Sequence, residues 1–582
     1  MKIGLIGDGA TSISIEFALQ QSEISVTPIS IESVSKSKLK AFSMVLVVDN
    51  VGSPLFEKVN DDITTSWIAI ELGGLGGYSI PPVLGSISLF NPATACYLCL
   101  RDRVKSNLST SEELNPKSII PISPSFESLL GSLSAYLVNS MLNFDMTHSH
   151  VFEISDLSIE HISGGNSAIT HRLLLPVPTC SSNDHSSTTH IPGTTMERAE
   201  YAIDERIGII NTISEAESFP APYYLANLCD TTSFTAQSVR KQSAGVAIDW
   251  DQAFIKTIGE ALERYSSGVY DPDSFTSGPA SSFKNSISPS SFVQPSPDLY
   301  KDESIDWIGG IDLHSNETVL LPAEFAVFPY PSEQYKPAIT TGLAIGNSLI
   351  EAQLSGLYEV IERDATMLSW YSNRPPSAFS PDDPEFDLLS QMANSKGLDS
   401  TVLLVTQDID IPVVTVAVHR SSKWPKFAVG SCANINPNRA AIGALSEALQ
   451  NWMELRSMGP DTANNQSSAI GTYSNFPKEA QSFIGHSDTS PSNDLSIPTF
   501  STRTEELSFL LTHLHSLDLS SYSVQLTPPD IATIGFEAVR ILIPEAQPLF
   551  FEKPFFGSRA RTVSASLGNF RSRLDRPHHP YP

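Results

Sequence analysis

The sequence predicts a mixed α/β protein of at least two domains, in which a Rossmann-like domain precedes a larger α/β domain. Near the N-terminus, short apolar segments alternate with helical segments, as in a parallel sheet covered by helices. Further along, the pentapeptide Glu-x-x-Glu-Arg occurs twice in apolar, helical surroundings, which favours a pseudo-symmetric pair of α/β halves. A polar, Ser/Thr-rich stretch at 181–200 lies between the two parts. We therefore predict a first domain at 1–183, a linker at 184–199 and a second domain at 200–582.

The first segments of the chain read as alternating strands and helices. Residues 3–7 (IGLIG), 43–50 (SMVLVVDN) and 67–72 (WIAIEL) are typical of buried strands. Residues 7–10 (GDGA) predict a tight turn into a helix. They lack the third glycine of a dinucleotide-binding fingerprint, so a plain strand-to-helix turn is at least as good an interpretation as a nucleotide site.

The repeated pentapeptide places pairs of glutamates on helices. Within each copy the two carboxylates are three residues apart, so they project from one helix face on neighbouring turns. Glu351 lies eleven residues before Glu362, and at about 100° per residue the two nearly eclipse. A third predicted helix carries Glu447. The candidate carboxylates are Glu260, Glu263, Glu351, Glu359, Glu362 and Glu447.

A cluster of carboxylates on partly buried helix faces implies bound cations. Two unit negative charges about 4 Å apart repel by roughly 4 kcal/mol at an effective dielectric constant near 20. Mg²⁺ suits such a cluster, because it is usually held by a few carboxylates together with nucleotide phosphates. The alternative is that each pentapeptide marks a solvated helix face with local ion pairs. One copy alone would favour this alternative, but two copies together with Glu351 and Glu447 favour a metal site.

Four segments of the chain resemble the YcaO superfamily, in its azoline-forming cyclodehydratase branch, and they occur in the family's order. These segments are 244–266 (AGVAIDWDQAFIKTIGEALERYS), 340–365, 443–450 (GALSEALQ) and 526–551. The resemblance implies that ATP and Mg²⁺ bind between the glutamate-bearing helices, with Arg363 on phosphate. It also implies ATP-dependent cyclodehydration of Cys, with Ser and Thr as further candidates, in a ribosomally made precursor peptide, by phosphorylation of the amide oxygen.

The sequence departs from the family pattern at two positions. The family usually has an arginine one turn before the glutamate of the third helix, where this chain has Gly443, and Arg439 lies a further turn back. An asparagine is common before the GLAIG stretch, where this chain has Thr341. In the family that these segments resemble, the residues at both positions are expected to contact the phosphates or the nucleoside of ATP. Two alternatives stay open: YcaO-type thioamide formation, and a non-catalytic scaffold that binds the leader peptide for an active homologue.

The segment NPATACYLCLRDRV at 91–104 resembles the ubiquitin-activating-enzyme-like (ThiF-type) domain that accompanies YcaO domains in azoline biosynthesis. In many such domains two Cys-x-x-Cys pairs hold a structural Zn²⁺. The zinc ligands that the resemblance implies here are Cys96, Cys99, Cys180 and His185. Asp184 or His190 could replace His185. A decayed site with buried thiols is the other interpretation.

As an adenylating enzyme the N-terminal domain looks incomplete, because it has no full glycine fingerprint. The resemblance implies instead that it docks a leader peptide or a partner protein. The small winged-helix module that binds leaders in some relatives is not recognisable, so we expect leader recognition by a separate protein or by another surface. A flavin-dependent dehydrogenase is a further candidate partner, and a homodimer is an open alternative to a monomer.

The last residues, RPHHPYP, favour a stiff, extended tail. Pro577, Pro580 and Pro582 bias the backbone toward the polyproline conformation, and azoline-forming YcaO proteins commonly end in Pro-x-Pro-x-Pro. The resemblance implies that the carboxylate of Pro582, or His578 or His579, acts as a general base near the reacting peptide bond. A frayed polar terminus is the alternative.

Composition and charge exclude several function classes. The chain of 582 residues has 64 acidic and 36 basic residues, a net charge of −28, which argues against nucleic-acid binding through a basic surface. Neither a secretory signal nor an apolar run of about 18 to 20 residues is present, so we expect no membrane span. Five cysteines, two of them in a Cys-x-x-Cys, do not resemble a disulfide framework. A reducing cytoplasm is the expected location.

Overall fold

The computed structural model describes residues 2–91, 94–108, 121–143, 147–155, 168–180, 190–235, 237–465, 469–485 and 498–582. The chain forms two compact units, each with its own apolar core. The N-terminal unit contains Met1–Thr212, Cys229–Ser238 and Pro528–Gly535. The C-terminal unit contains Ile213–Leu228, Val239–Thr527 and Phe536–Pro582. The boundaries predicted from the sequence at 183 and 200 stay predictions.

A central sheet organises the described part of the N-terminal unit. Its strands are β1 (Lys2–Ile6), β2 (Ser25–Ile29), β3 (Met44–Asn50), β4 (Trp67–Leu72), β5 (Gly85–Phe90), β6 (Ser149–Ile154) and β7 (Ile169–Leu174). They lie in the order β2-β1-β3-β4-β5-β6-β7, with β1 to β4 parallel and β5 to β7 antiparallel. The three strands expected from the sequence are present as β1, β3 and β4, and the predicted mixed α/β fold is confirmed.

Helices and a buried carboxylate complete this unit. The helices are α1 (Ala10–Gln21), α2 (Lys36–Leu39), α3 (Pro54–Asp62), α4 (Tyr97–Asn107), α5 (Pro124–Asn143) and α6 (Thr195–Glu200). Glu71, fully buried at the end of β4, accepts hydrogen bonds from the backbone N–H groups of Gly76 at 2.6 Å and Gly77 at 2.8 Å. The hydroxyl of Tyr97 donates to the same carboxylate at 2.9 Å. Glu71 therefore joins the glycine-rich turn after β4 to the start of α4.

The C-terminal unit is built on three sheets in the part that the structure describes. The strands are β8 (Ile210–Glu217), β9 (Tyr223–Leu228), β10 (Gln242–Val246), β11 (Thr276–Gly278), β12 (Ile305–Asp312), β13 (Thr318–Pro322), β14 (Leu343–Gly346), β15 (Ser377–Ala378), β16 (Asp399–Leu404), β17 (Val413–His419), β18 (Phe427–Ala433), β19 (Tyr522–Gln525) and β20 (Glu537–Leu542). The sheet orders are β10-β9-β8, β11-β12-β19-β20-β14 and β15-β16-β17-β18, with β13 paired to β12.

Long helices cover these sheets. The helices that follow α6 are α7 (Trp250–Gly268), α8 (Ala323–Ala326), α9 (Leu349–Trp370), α10 (Pro384–Ser395), α11 (Pro437–Met458), α12 (Pro460–Asn465), α13 (Ala469–Tyr473), α14 (Lys478–Gly485), α15 (Arg503–Ser516), α16 (Pro529–Thr533), which belongs to the N-terminal unit, and α17 (Ser558–Ser566). The N-termini of α7, α9 and α11 are capped by the side chains of Asp249, Ser348 and Asn436. None of the described helices is both long and apolar enough to cross a membrane.

Two glycines allow α7 and α11 to lie directly on strands. A Cβ atom on Gly245 of β10 would lie 2.6 Å from the backbone nitrogen of Thr257 in α7. A Cβ atom on Gly430 of β18 would lie 2.4 Å from the carbonyl oxygen of Ala444 in α11. Only glycine permits so close an approach. Side chains of both helices can therefore reach the backbone of the strand that the helix covers.

A buried arginine joins α17 to α9. Arg559 donates to Asp364 at 3.0 and 2.7 Å and to Asp408 at 3.0 and 2.7 Å. Asp364 is fully buried. We expect Arg559→Met to destabilise the fold by about 3–5 kcal/mol, because it leaves a buried carboxylate without its cation. Denaturant unfolding followed by tryptophan fluorescence measures this, with the exposed Arg571→Met as control. Equal unfolding midpoints in the two variants would contradict the prediction.

Candidate active site

Each of the helices α7, α9 and α11 presents a glutamate to the backbone of a neighbouring strand or turn. In each case one carboxylate oxygen accepts a hydrogen bond from a backbone N–H group. The donor and acceptor pairs are Ala244 and Glu260 (3.4 Å), Gly342 and Glu359 (2.9 Å), and Ser431 and Glu447 (2.6 Å). The backbone thus fixes the direction of one carboxylate on each helix. The sequence predicted three glutamate-bearing helices around one site, and this arrangement agrees with that prediction.

Two further glutamates in the same region are largely buried. The side chains of Glu263 and Glu362 are 20% and 10% exposed. Burial, with the charges of Glu359 and Glu260 added, raises the pKa of Glu263 to about 8. Burial, with the charge of Glu447 added, raises the pKa of Glu362 to about 8. Both carboxyl groups therefore hold a proton at neutral pH, and a bound cation would release it.

These raised pKa values predict how stability changes with pH. Glu263 and Glu362 bind protons more tightly in the folded chain than at the usual pKa of 4.5. Their contribution therefore makes the folded state progressively less stable as the pH rises from about 4.5 to about 8. We expect the double variant Glu263→Gln, Glu362→Gln to show a smaller decline than the wild type. Thermal unfolding across this pH range measures the difference, and parallel profiles would contradict the prediction.

Two arginines lie among the carboxylates. The ion-pair distances are 3.5 Å for Arg264 and Glu260, 3.8 Å for Arg264 and Glu263, 3.5 Å for Arg363 and Glu362, and 3.7 Å for Arg363 and Glu447. Nε and Nη1 of both arginines are buried and have no hydrogen-bond acceptor within the described residues. Buried N–H groups without acceptors are costly. Phosphate oxygens are the acceptors that guanidinium groups match best, so this site suits a nucleotide.

A third arginine, on β20, was not identified from the sequence. Arg540 is 3% exposed, and its Nη2 donates to the carbonyl oxygen of Ile339 at 2.8 Å. Its Nε and Nη1 have no acceptor in the described part of the chain. Burial lowers the pKa of Arg540 to about 10, although the charges of Glu359 and Glu263 oppose this change. The available signal was a single arginine inside the apolar strand AVRILI.

A cavity of about 320 Å³ lies beside Glu260. Its lining includes an aromatic ring, a side-chain amide and charged groups, contributed by Tyr223, Gln450, Arg240 and Glu454. Small-molecule sites of this kind combine apolar walls with a few polar groups and start at about 300 Å³. The cavity is therefore large enough for a nucleoside next to the carboxylates.

A family model described as YcaO cyclodehydratase, ATP- and Mg²⁺-binding, matches residues 244–547, just over half of the chain. The chain belongs to the YcaO family. The matched region contains all the glutamates of the site. An uncharacterized protein of Methanothermobacter thermautotrophicus is 26% identical over 335 residues, which cover 55% of this chain and 85% of that protein.

Two solved structures share the fold of this YcaO protein. A heterocyclase in complex with substrate and cofactor has a TM-score of 0.72 at 18% identity, with 100% of this chain and 84% of that chain covered. The heterocyclase TruD has a TM-score of 0.64 at 18% identity, with 97% and 82% covered. The mixed α/β architecture is thus common to all three proteins.

Glu351 lies apart from the other candidate carboxylates of the YcaO domain. In the first turn of α9 it accepts hydrogen bonds from the backbone N–H and the side-chain Nδ2 of Asn347, both at 3.1 Å. Eleven residues of α-helix advance by about 16 Å. Glu351 and Glu362 therefore share a helix face but lie three turns apart. A contact between Glu351 and Mg²⁺ or nucleotide stays a prediction.

The structure shows what surrounds Gly443 and Thr341, the two positions at which the chain departs from the YcaO pattern. A Cβ atom on Gly443 would lie 2.7 Å from Sγ of Cys432, so the half-buried cysteine occupies the space that a larger side chain would need. Arg439 forms an ion pair with Glu385 at 2.9 Å and is 59% exposed, so it is a surface residue and not a member of the cluster. Thr341 lines a small cavity together with Arg363 and Arg540.

The C-terminal tail is packed into the C-terminal unit. Tyr581 and His579 are fully buried. Nε2 of His579 lies 2.8 Å from the carbonyl oxygen of Phe550, and the indole N–H of Trp370 donates to the carbonyl oxygen of Pro577 at 2.9 Å. The alternative of a frayed terminus is therefore wrong.

Tyr581, the residue before Pro582, lies near one glutamate and one arginine of the site. The charges of Glu362 and Arg363 act on the phenol of Tyr581, whose pKa burial raises. Burial lowers the pKa of His579 to about 3, so its imidazole is neutral, and its Nε2 is already bound to the carbonyl oxygen of Phe550. Pro582, the residue after Tyr581, is half-buried. A general-base role for its carboxylate stays a prediction.

Three cysteines converge in the N-terminal unit. Sγ of Cys96 lies 3.7 Å from Sγ of Cys99 and 3.5 Å from Sγ of Cys180. In the part of the chain that the structure describes, this is the one group of three or more possible ligands whose ligand atoms all lie within 4.8 Å of one another. Burial raises the pKa of the Cys99 thiol, so this thiol needs a nearby cation to ionise. The predicted fourth ligand, His185, and its alternative Asp184 lie outside the described residues.

Proposed function

We propose that the protein is an ATP- and Mg²⁺-dependent peptide cyclodehydratase. It converts Cys residues of a ribosomally made precursor peptide to azolines, with Ser and Thr as further candidates. The observation that carries the proposal is the convergence of glutamates from α7, α9 and α11 around buried arginines whose N–H groups lack acceptors within the described residues. Membership of the YcaO cyclodehydratase family and a fold shared with two heterocyclases support it.

The carboxylates fit Mg²⁺ and the arginines fit nucleotide phosphates. The proposed magnesium ligands are Glu260, Glu263, Glu359, Glu362 and Glu447, with Glu351 as a further candidate. Bound Mg²⁺ would neutralise part of the negative charge of the phosphates. Arg264 and Arg363 donate to phosphate oxygens through their free N–H groups. The nucleoside lies in the cavity beside Glu260.

The reaction follows from the chemistry of the peptide bond. The precursor thiol loses its proton and attacks the preceding carbonyl carbon, so that a C–S bond forms. The electron pair of the C=O bond moves to oxygen, which attacks the γ-phosphorus of ATP, and the bond to the β-phosphate oxygen breaks to release ADP. The amide nitrogen then loses its proton, a C=N bond forms and the C–O bond breaks with departure of phosphate. The peptide loses one water for each ATP that becomes ADP and phosphate.

Two protons must be removed in this sequence, one from the thiol and one from the amide nitrogen. The carboxylate of Pro582 is the proposed base, because the preceding residue, Tyr581, is buried and the charges of Glu362 and Arg363 act on its phenol. A general base of this kind contributes roughly 10²–10⁴-fold to the rate. Arg363 is the proposed catalytic cation, since its guanidinium lies between Glu362 and Glu447 and has N–H groups to spare.

The N-terminal unit is proposed as a ThiF-type docking domain for the leader peptide or for a partner protein. The sheet of β1 to β7 with its flanking helices supplies the scaffold. A separate leader-binding protein and a flavin-dependent dehydrogenase are the proposed protein partners, and the dehydrogenase would oxidise azoline products.

The three thiols of this unit predict a zinc content of about one ion per chain, with His185 as the fourth ligand. Elemental analysis of the purified protein measures it. We expect Cys180→Ser to lose the ion and Cys432→Ser, a substitution outside the cluster, to retain it. A protein that contains no zinc and stays folded in a chelator would show that the site has decayed.

Incubation of the full chain with a candidate precursor, ATP and Mg²⁺ tests the proposed function. A short peptide rich in Cys, Ser and Thr encoded next to this chain is the candidate to use. We expect mass spectrometry to show the loss of one water per ring, matched by one ADP. Thioamide formation would instead exchange an oxygen for a sulfur. A scaffold would leave the peptide unchanged until an active homologue is added, and either result would overturn the proposal.

A further inference from the structure

A second, smaller cavity lies between α9 and β20 in the C-terminal unit. Its volume is about 40 Å³, which is room for about three water molecules, since one needs roughly 10–15 Å³. The polar side chains that line it are Lys336, Thr341, Arg363, Arg540 and Gln547. The other lining side chains are apolar, and no carboxylate is among the described lining residues. The polar lining is therefore cationic, apart from one hydroxyl and one amide.

The arginines of this cavity have hydrogen-bonding capacity to spare. Nε and Nη1 of Arg540 and of Arg363 are buried without an acceptor in the described part of the chain. Arg540 is 3% exposed, so bulk water does not satisfy these groups. Gln547, in contrast, forms its side-chain hydrogen bonds with backbone groups of its own segment. The free donors at the cavity thus belong to the cations.

Lys336 adds a third cation from the loop that precedes β14. Its Nζ lies 4.6 Å from the ring centroid of Phe325, which holds the ammonium group in place. The carboxylate of Glu324 is already bonded to the backbone N–H groups of 334–336. Burial and the charge of Arg540 lower the pKa of Lys336 to about 7, while Glu324 opposes the change. An anion in the cavity would restore the proton on this amine.

We propose that this cavity is an oxyanion subsite that binds phosphate, the group that leaves the amide oxygen in the last step of the reaction. The inference rests on the proposed function. Two arginines and one lysine converge on a space that fits a tetrahedral anion and is too small for a nucleoside. Thr341 donates its hydroxyl to the same anion, which gives the departure from the family pattern a role. The γ-phosphoryl group of ATP presents the same chemistry, and the test separates the two sources.

Titration of inorganic phosphate into the full chain in the presence of Mg-ADP tests the proposal by calorimetry. We expect wild-type protein to bind phosphate and Lys336→Met to bind it roughly tenfold or more weakly, the loss of one charge-assisted contact. Lys284→Met removes an exposed lysine of the loop between β11 and β12 and should leave the affinity unchanged. At pH 9 the wild-type Lys336 amine is neutral, so the wild type should bind phosphate more weakly. Lys336→Arg stays charged and should retain phosphate binding at this pH.

Repeating the titration with a non-hydrolysable ATP analogue in place of ADP identifies the source of the anion. If phosphate no longer binds, the γ-phosphoryl group of the analogue occupies the cavity. If phosphate still binds, the cavity is a site for free phosphate. Both results support the subsite. Equal phosphate affinity in Lys336→Met and Lys284→Met would overturn it. Absence of phosphate binding in protein that binds the Mg-ATP analogue would overturn the subsite alone, whereas failure to bind the analogue would overturn the proposed function as well.

Discussion

Glu362→Gln is expected to weaken Mg-nucleotide binding by roughly a hundredfold or more, while the ligand-free protein unfolds at pH 7 at a temperature no lower than that of the wild type. Burial and the charge of Glu447 raise the pKa of Glu362 to about 8, so the ligand-free carboxyl group is protonated at pH 7. An amide has nearly the same shape and can accept the hydrogen bond that Ser431 Oγ donates at 2.7 Å. It cannot supply a negative charge to a cation. The substitution therefore separates metal binding from folding.

Calorimetry with Mg²⁺ and a non-hydrolysable ATP analogue measures the loss, and differential scanning fluorimetry checks the fold. Glu359→Gln should behave in the same way, because Glu359 occupies the neighbouring turn of α9. Glu385→Gln is the matched control, since Glu385 pairs with Arg439 at the surface. Binding of the Mg²⁺–analogue complex to the wild type should also release protons. Calorimetric titrations in buffers of different ionisation enthalpy detect this proton release. Unchanged affinity in both Glu359→Gln and Glu362→Gln would remove the magnesium assignment.

Much of the glutamate cluster could be predicted from the sequence, because its signal is local. Carboxylates three residues apart in an apolar helical segment share a face whatever the rest of the chain does. The angular spacing alone does not show how far Glu351 lies from Glu362, but the eleven-residue separation does, since it corresponds to a rise of about 16 Å along the helix. Arg540 and Lys336 were missed for a different reason. Lys336 lies in a loop shortly before α9, and Arg540 lies in β20, far after α9 in the chain. Neither segment shows in its own sequence which residues it will contact.

The fold shows the same distinction between local and distant signals. Strands β1, β3 and β4 are continuous apolar runs, because parallel strands are covered on both faces. Strands β6 and β7 have the sequences SHVFEI and ITHRLL, with partly exposed residues along them, and they were not predicted. The approach of Cys180 to Cys96 spans 84 residues of chain. The sequence suggested this pairing through a family resemblance, and the tertiary structure supplies its geometry.

A single glycine added after Pro582 is expected to reduce ring formation roughly 10²–10⁴-fold, the usual contribution of a general base, while leaving the affinity for the Mg-ATP analogue unchanged. The addition moves the carboxylate by one residue, about 3.3 Å of extended chain, and keeps Tyr581 in its buried position. Deletion of 580–582 should lower turnover as well, but it also removes the buried Tyr581 ring and so lowers stability. The extension is therefore the cleaner test of the carboxylate.

Mass spectrometry of the precursor gives the rate of water loss, and calorimetry gives the nucleotide affinity of the same extended protein. Tyr581→Phe is the matched control, because it keeps the buried ring and the position of the carboxylate and removes only the hydroxyl near Thr415. If the extended protein removes water at the wild-type rate, Pro582 is not the base. His579 is unsuited to replace it, since its imidazole is fully buried and its Nε2 is bound to the carbonyl oxygen of Phe550. The carboxylates around Arg363 would then have to accept the protons. In that case Glu362→Gln should form rings more slowly than the wild type even at saturating nucleotide.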